Sequence, residues 1–340
     1  MDPLSHALLG AASGQGVSRT QRPMAALAGA VGALLPDADV LIGSDIDPLL
    51  TLEYHRQFTH ALVSAPVGAL FAAGVLWLLL RRHTAFRELY WPALAGYVSA
   101  LLLDACTSYG TQLLWPFTDK RYAASIVAVV DPVVTLALLI GVVLALRRAT
   151  ARPARVAIAV VVLYLGFGWL QRERAESFIE QVAASRGHAI SRHEVKPTLG
   201  NLLLWRSVYL TGQEYVVDAA RVGLLSPAVL YPGAAVRRIE PIDLVPPLTL
   251  NSVQAADVVR FAKVSEGYMG RHPALPHVIG DVRYSILPDS TRPLWGIEIH
   301  PEREHEHVRF RTFREHTKED RQRFFAMLRG VAPTRTESWK

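Results

Sequence analysis

The sequence predicts an all-α polytopic membrane bundle of five to six helices over residues 1–170, followed by a smaller soluble α+β domain over 171–340. Three observations predict it. Long apolar runs lie before residue 171, most of the charge lies after it, and short Arg clusters punctuate the apolar runs. The whole-chain figures, 51% hydrophobic residues and a mean hydropathy of +0.21, average two unlike halves. A length of 340 residues accommodates two domains.

A helix crosses a bilayer with roughly 20 apolar residues, within a range of about 17–25. Residues 3–17 are few and rich in Gly and Ser, so they read as a short first span or a re-entrant helix. Residues 24–42 are apolar until Pro36-Asp37-Ala38-Asp39. Residues 61–80 contain no ionisable group. Residues 91–106 carry Trp91 and Tyr97 near one end and Asp104 near the other, and residues 125–146 are apolar apart from Asp131. Residues 156–170 are uncharged and close on Phe167 and Trp169.

Orientation follows from Arg and Lys in the connections. Arg19 and Arg22, Arg81, Arg82 and Arg87, and Arg147, Arg148, Arg152 and Arg155 form one set; Arg56, Lys120 and Arg121 form the smaller opposite set. The larger set is expected in the cytoplasm, which puts the C-terminal domain on the periplasmic side of a bacterial inner membrane. Residues 1–10 contain no Lys or Arg, unlike a cleavable signal peptide, so the first apolar segment is expected to be retained. The net charge of +6 is accounted for by these clusters and the tail; the first half has no basic face interleaved with aromatics, which argues against nucleic acid. The single cysteine, Cys106, excludes an internal disulfide.

In the tail, residues 171–186 read as a polar helix continuing out of the membrane. Residues 201–210, 215–224, 277–287, 295–300 and 307–313 have strand character. Residues 252–268 and 318–328 have helical spacing. The Pro-rich stretch 241–247 reads as a loop.

On this topology His6, Asp37, Asp39, His55, Arg56, His60, Asp104 and Asp131 all fall at the outer face, although the faces were assigned from Arg and Lys alone. Pro36 disfavours helix at the residue before it. Residues 34–39 are therefore expected to be extended, which turns Asp37 and Asp39 to the same side. Neighbouring carboxylates repel unless a cation joins them. His55 and His60 are five apart and do not share a helix face, and Thr59 is suited to cap the following span. Imidazole mixed with carboxylate suits Zn first, then Mn or Fe, over Ca or Mg. A carboxylate inside a span costs roughly 2.5–3.5 kcal/mol, which argues for a partner at Asp104 and Asp131.

Singly, several of these residues have plainer readings. Asp39 alone reads equally as a helix cap and His6 as an interfacial histidine; it is the set that points to a metal. Cys106 reads as a small packing residue and His83 as a loop residue. His300, His305 and His307, alternating with Glu302, Glu304 and Glu306, read as a solvated charged loop. Ala93, Gly96 and Ala100 form a small-residue stripe for close helix packing.

The series Ser5-His6-Ala7-Leu8-Leu9-Gly10, Leu34-Leu35-Pro36-Asp37-Ala38-Asp39 and His55-Arg56-Gln57-Phe58-Thr59-His60-Ala61-Leu62 resembles the YdjM/YbcI-like family of membrane-bound metal-dependent hydrolases. Gly96-Tyr97, Leu103-Asp104, Thr107, Gly110 and Leu113-Leu114-Trp115-Pro116 extend the resemblance, which covers about residues 1–150. Asp131-Pro132 is similar to the Asp-Pro of longer members, and Gly280-Asp281-Val282-Arg283-Tyr284 with Leu294-Trp295-Gly296-Ile297 to their C-terminal extension. The resemblance implies a metal centre formed by His6, Asp37, Asp39, His55, His60 and Asp104. Some relatives carry a His four residues before the Asp of the third motif; Ala100 stands there in this chain, which removes one ligand.

These residues lead to the expectation of a divalent-metal hydrolase at the outer membrane–water boundary. The metal would lower the pKa of water to about 7, Asp39 or Asp131 would accept the proton, and Arg56 would hold an anionic oxygen. The depth of the site favours a lipid-linked or amphiphilic phosphoester. A transporter would place its polar site near the bilayer midplane, whereas these residues gather at one end. A non-catalytic scaffold, with the metal tying helix ends together, is the other reading.

Overall fold

The computed structural model describes residues 1–18, 22–244, 247–303 and 305–332. The chain divides into two units. The first comprises Met1–Ile42, Tyr54–Leu170 and Leu199–Leu202; the second comprises Gly43–Glu53, Gln171–Thr198 and Leu203–Lys340. Arg19, used above for orientation, and Glu304 of the His/Glu run lie outside the described residues.

The first unit is helical. It contains α1 (Pro3–Val17) and α2 (Arg22–Leu34), and after α3 (Leu50–Tyr54) come α4 (Ala65–Leu80), α5 (Phe86–Ala105), α6 (Pro132–Arg147) and the first part of α7 (Arg152–Ser185). Local chemistry fixes the starts. Asp2 caps α1 by accepting the Ser5 amide at 3.0 Å, with Pro3 following. Asp131 caps α6 by accepting the Val133 and Val134 amides at 2.9 and 3.3 Å, with Pro132 following.

Helices α1, α2 and α5 meet backbone to backbone. A Cβ built on Gly96 would lie 2.0 Å from the Gly29 carbonyl oxygen, and one on Gly29 would lie 2.0 Å from the Gly10 oxygen. The small residues of the 93–100 stripe are thus what lets α5 approach α2. Gly96→Ala has no flexible side chain to displace, so it is expected to cost at least the 1–3 kcal/mol typical of overpacking. A chemical unfolding midpoint in detergent checks it.

The expectation of five to six membrane-crossing helices is corrected. Among the described residues two helical stretches are long and apolar enough to cross: Leu62–Leu80, of 19 residues, and α7, of 34. The apolar runs in the sequence overcounted helix. Pro36 ends the second run, leaving α2 only 13 residues before a 3-10 helix, Pro36–Leu41. Residues 125–130 are not helical, so α6 has 16 residues. α1 has 15, and α5, though 20 long, includes Arg87, Glu88 and Asp104. These are short helices packed side by side.

The second unit is α+β. Strands β1 (Arg192–Pro197), β2 (Leu204–Thr211), β3 (Glu214–Arg221) and β4 (Val229–Arg237) form one antiparallel sheet in sequential order. Strands β5 (Met269–His272), β6 (Leu275–Asp281), β7 (Trp295–Glu298) and β8 (Arg309–Thr312) form another. The second part of α7 packs Ile179 and Ala183 on Tyr209, Val216 and Ala220 of the first sheet. Helix α8 (Val253–Val264) packs Val258 and Phe261 on Ile279 and Ile297 of the second, and α9 (Lys318–Arg329) opens with a Thr317–Asp320 capping box. Strands β1, β4 and β5 lack the alternating apolar pattern that marks a strand in sequence. β1 is mostly polar, β4 carries Pro232-Gly233 beside a register shift, and β5 has four residues.

The second unit also takes a piece of chain from the N-terminal half. Leu49 of Gly43–Glu53 is buried in the core under α8. Arg260 of α8 pairs with both Asp47 and Glu53 at 2.8 Å. Hydropathy gave no sign of this, because an eleven-residue polar loop between apolar runs reads as a simple connection.

Candidate metal centre

Four separate segments of the first unit carry the site. His6 stands on α1, Asp37 and Asp39 on the 3-10 helix after α2, His60 on the 3-10 turn Phe58–His60, and Asp104 in the last turn of α5. His6, His60 and Asp104 are fully buried; Asp37 keeps 22% of its side chain exposed. Both imidazoles are held from behind by a carboxylate. His6 Nδ1 is 3.1 Å from Asp37 Oδ2, and His60 Nδ1 is 3.1 Å from Asp39 Oδ2. Their other nitrogens both face the Asp104 carboxylate. His6 Nε2 lies 3.2 Å from Asp104 Oδ1, and His60 Nε2 lies 3.3 Å from Asp104 Oδ2 and 3.4 Å from Asp37 Oδ1.

These contacts are close without being hydrogen bonds. His6 Nε2, His60 Nε2 and Asp104 Oδ2 are buried and have no hydrogen-bond partner. Orphaned buried polar atoms are costly, and here three ligand-type atoms from different segments gather at the Asp104 carboxylate. A carboxylate behind each imidazole and a bare Nε2 in front is the arrangement that metal-binding histidines adopt. Ligand atoms of His6, Asp37 and Asp104 lie within 4.8 Å of one another. Two nitrogens with carboxylate oxygens fit Zn, Mn or Fe, so the residues fit a divalent cation.

Asp39 has a different place from that expected. Its Oδ1 accepts from His55 Nδ1 at 2.8 Å; its Oδ2 accepts from the Arg56 amide at 2.9 Å and Thr59 Oγ1 at 2.8 Å, as well as facing His60. Asp39 therefore supports the imidazoles from outside. The reason is the 3-10 helix: residues 36–41 are wound, not extended, with Leu35 in the helical region despite Pro36. Residues two apart in a three-residue turn point in different directions. Thr59 spends its hydroxyl on Asp39 and does not cap α4; Ser64, at the cap position, donates its own hydroxyl to the Phe58 carbonyl at 2.6 Å and not to a helix amide. His55 reaches the site through Asp39, with its ring 5.8 Å from that of His60.

Arg56 is buried, with a left-handed φ of 62° that aims its amide at Asp39. Its Nη2 pairs with Asp104 Oδ1 at 2.9 Å and its Nη1 donates to Thr107 Oγ1 at 3.0 Å. The guanidinium, like the Met1 amino group beside the same oxygen, balances Asp104, which differs from the open anion-holding role expected of it. Asp131 is not brought to the cluster. One oxygen caps α6 and the other accepts from Tyr164 at 2.9 Å. Three further groups support the site: the Tyr97 hydroxyl donates to the Thr59 carbonyl, Arg121 Nη2 donates to the His55 carbonyl at 3.2 Å, and the Tyr109 ring lies 5.6 Å from that of His55. Tyr97 sat beside Gly96 in a recognised motif; Arg121, 66 residues from His55, had no signal.

Burial would raise the Asp39 pKa, but hydrogen bonds from His55 and His60 outweigh it and hold the group below the usual carboxylate range. Burial would lower that of His60, but the carboxylates of Asp104, Asp37 and Asp39 set close around it outweigh burial and push it up to about 10. Without a cation His60 thus keeps a proton at neutral pH, which a metal must displace. Metal affinity is expected to rise about tenfold per pH unit for each proton displaced, below that pKa. Zinc titrations from about pH 6 to 9 would show this slope.

The fold and site define a membrane protein with a buried imidazole–carboxylate cluster in its N-terminal helical unit. The chain belongs to the family described as YdjM inner membrane protein, whose model matches residues 1–175, just over half of it. Inner membrane protein YbcI of Escherichia coli (strain K12) is 33% identical over 135 residues, covering 36% of this chain and 70% of YbcI. The resemblance read from the motifs is borne out as to family, and with it a place in the bacterial inner membrane. No solved structure matches the chain.

Proposed function

We propose that this protein is a metal-dependent hydrolase acting on a lipid-linked or amphiphilic phosphoester at the periplasmic face of the inner membrane. The observation that carries the reading is the convergence of His6 Nε2, His60 Nε2 and Asp104 Oδ2, buried and without hydrogen-bond partners. A divalent cation held there, Zn first, supplies Lewis acidity and brings the pKa of water to about 7. Asp37, the partly exposed carboxylate of the set, is the group positioned to take the proton. Asp39 fixes the imidazoles, and Arg56 offsets the charge of Asp104. His60 lies two residues before the apolar Leu62–Leu80 stretch, which supports a site near the membrane surface.

Orientation is part of the same proposal. Arg81, Arg82 and Arg87 follow that span, and Arg147, Arg148 and Arg152 stand around the start of α7. Both clusters face the cytoplasm by the positive-inside rule. Chain before Leu62 and chain after Leu170 then open to the periplasm; α5 runs back along α4, with Leu89 and Ala93 clustered with Ala72 and Leu76 and with Leu101 clustered with Ala65, which returns Asp104 to the Leu62 end. Leu225 is fully exposed, so Leu225→Cys is expected to react with an impermeant maleimide in intact spheroplasts; labelling only after lysis would reverse the orientation.

The activity test uses purified full-length protein loaded with Zn or Mn and a panel of lipid phosphomonoesters and diesters in detergent. Phosphate or alcohol release that stops with chelator is the expected result. Stoichiometric metal with no hydrolysis of any of them would leave the cation as a tie between four chain segments.

A further inference from the structure

A second group of ligand-type side chains lies in the other unit and shares no residue with the first centre. Glu176 and Glu180 are four apart on α7 and so occupy one helix face. His193 is the second residue of β1, the edge strand of its sheet. One ligand atom from each of the three lies within 4.8 Å of the others.

The imidazole supplies the independent observation. Its side chain is 8% exposed, and Nδ1 is buried with no hydrogen-bond partner. Nε2 is already engaged, 3.1 Å from Ser207 Oγ. When Nε2 donates to that hydroxyl, Nδ1 carries a bare lone pair, and it faces Glu176 Oε1 at 3.9 Å, too far for a hydrogen bond. An unprotonated nitrogen opposite a carboxylate oxygen is two acceptors facing each other, which a cation between them reconciles. The other Glu176 oxygen is turned to Arg172 Nη2 at 3.4 Å, so it leaves Oε1 uncommitted to that pair. Glu173 and Glu194 add like charge around Glu176, so the cluster is acidic beyond what Arg172 offsets. Glu180 is exposed, which gives an ion a way in.

We propose that Glu176, Glu180 and His193 form a divalent transition-metal site on the C-terminal unit, with Zn as its natural test ion. Two carboxylates and one imidazole are a three-ligand set of the kind that leaves a position for water or an incoming donor.

Zinc binding to the full chain in detergent, followed by calorimetry and elemental analysis, tests this. His60→Ala serves as the background, so that loss of the first centre and loss of this one are read separately. In that background one equivalent of zinc is expected to remain. Glu180→Gln, at an exposed position, should weaken it at least tenfold, since even supporting groups outside the ligand set change metal affinity by about 10–100-fold. His193→Ala should abolish it. Glu173→Gln, with the same charge change outside the set, should retain it. No zinc in the background protein, which would make Nδ1 a water site, overturns the proposal. So does equal binding by Glu180→Gln, and so does equal loss in Glu173→Gln, which would mean diffuse acidic attraction. Should His193→Ala fail to fold, the two glutamine variants decide.

Discussion

Replacing His60 by Ala is expected to strip the N-terminal centre of its metal, with affinity falling at least 100-fold and chelator-sensitive hydrolysis falling to background. His60 is the junction of the site. Its Nδ1 meets Asp39, and its Nε2 lies within 3.4 Å of both Asp37 and Asp104. Loss of a supporting group alone costs about 10–100-fold in metal affinity, and His60 stands in the inner set. A 100-fold change corresponds to about 2.7 kcal/mol. The fold should tolerate the change, because Asp39 keeps its bonds to His55, the Arg56 amide and Thr59. Elemental analysis of the purified variant beside the parent is the measurement. Equal metal content in the two would remove the centre from the account, and the hydrolase proposal with it.

How much of this could be read in the residues differs by level. The meeting of His6, Asp37, His60 and Asp104 is legible in that each sits at an end of an apolar run, and runs packed side by side bring such ends together. Their division of labour is not. Whether Asp39 ligates or supports depends on the winding of six residues after Pro36, and the local rule for a residue before proline pointed to extended chain while packing kept Leu35 helical. The number of crossing helices was misread for a related reason. An apolar run reports burial, in lipid or in protein alike, and glycines such as Gly29 and Gly96 bury short helices against one another without a membrane. The α+β character of the tail was legible from its β-branched runs. The capture of Gly43–Glu53 by the second unit was not, since it rests on Leu49 and on Arg260, more than 200 positions away from its partners.

Asp39→Asn separates the two readings of that carboxylate. If Asp39 supports the imidazoles, as its four donors indicate, the variant should keep the metal of the N-terminal centre with affinity weakened about 10–100-fold. The visible spectrum of its Co(II) form should match the parent, because the coordinated atoms are unchanged. If Asp39 ligates, the spectrum must change along with the affinity. The amide keeps one acceptor oxygen but turns a donor towards His55 Nδ1 or towards the Arg56 amide and Thr59, so the 55–60 turn is expected to loosen. Asp39→Ala should be worse than either outcome. It leaves the donors of His55, Arg56 and Thr59 facing nothing in a buried pocket, and unsatisfied buried groups cost about 1–3 kcal/mol each. That variant is therefore expected to lose the turn that presents His60, so the Asn variant is the one that reads the ligand question. Unchanged affinity in Asp39→Asn would mean that the imidazoles hold their orientation without it, and the support assigned to this carboxylate would be void.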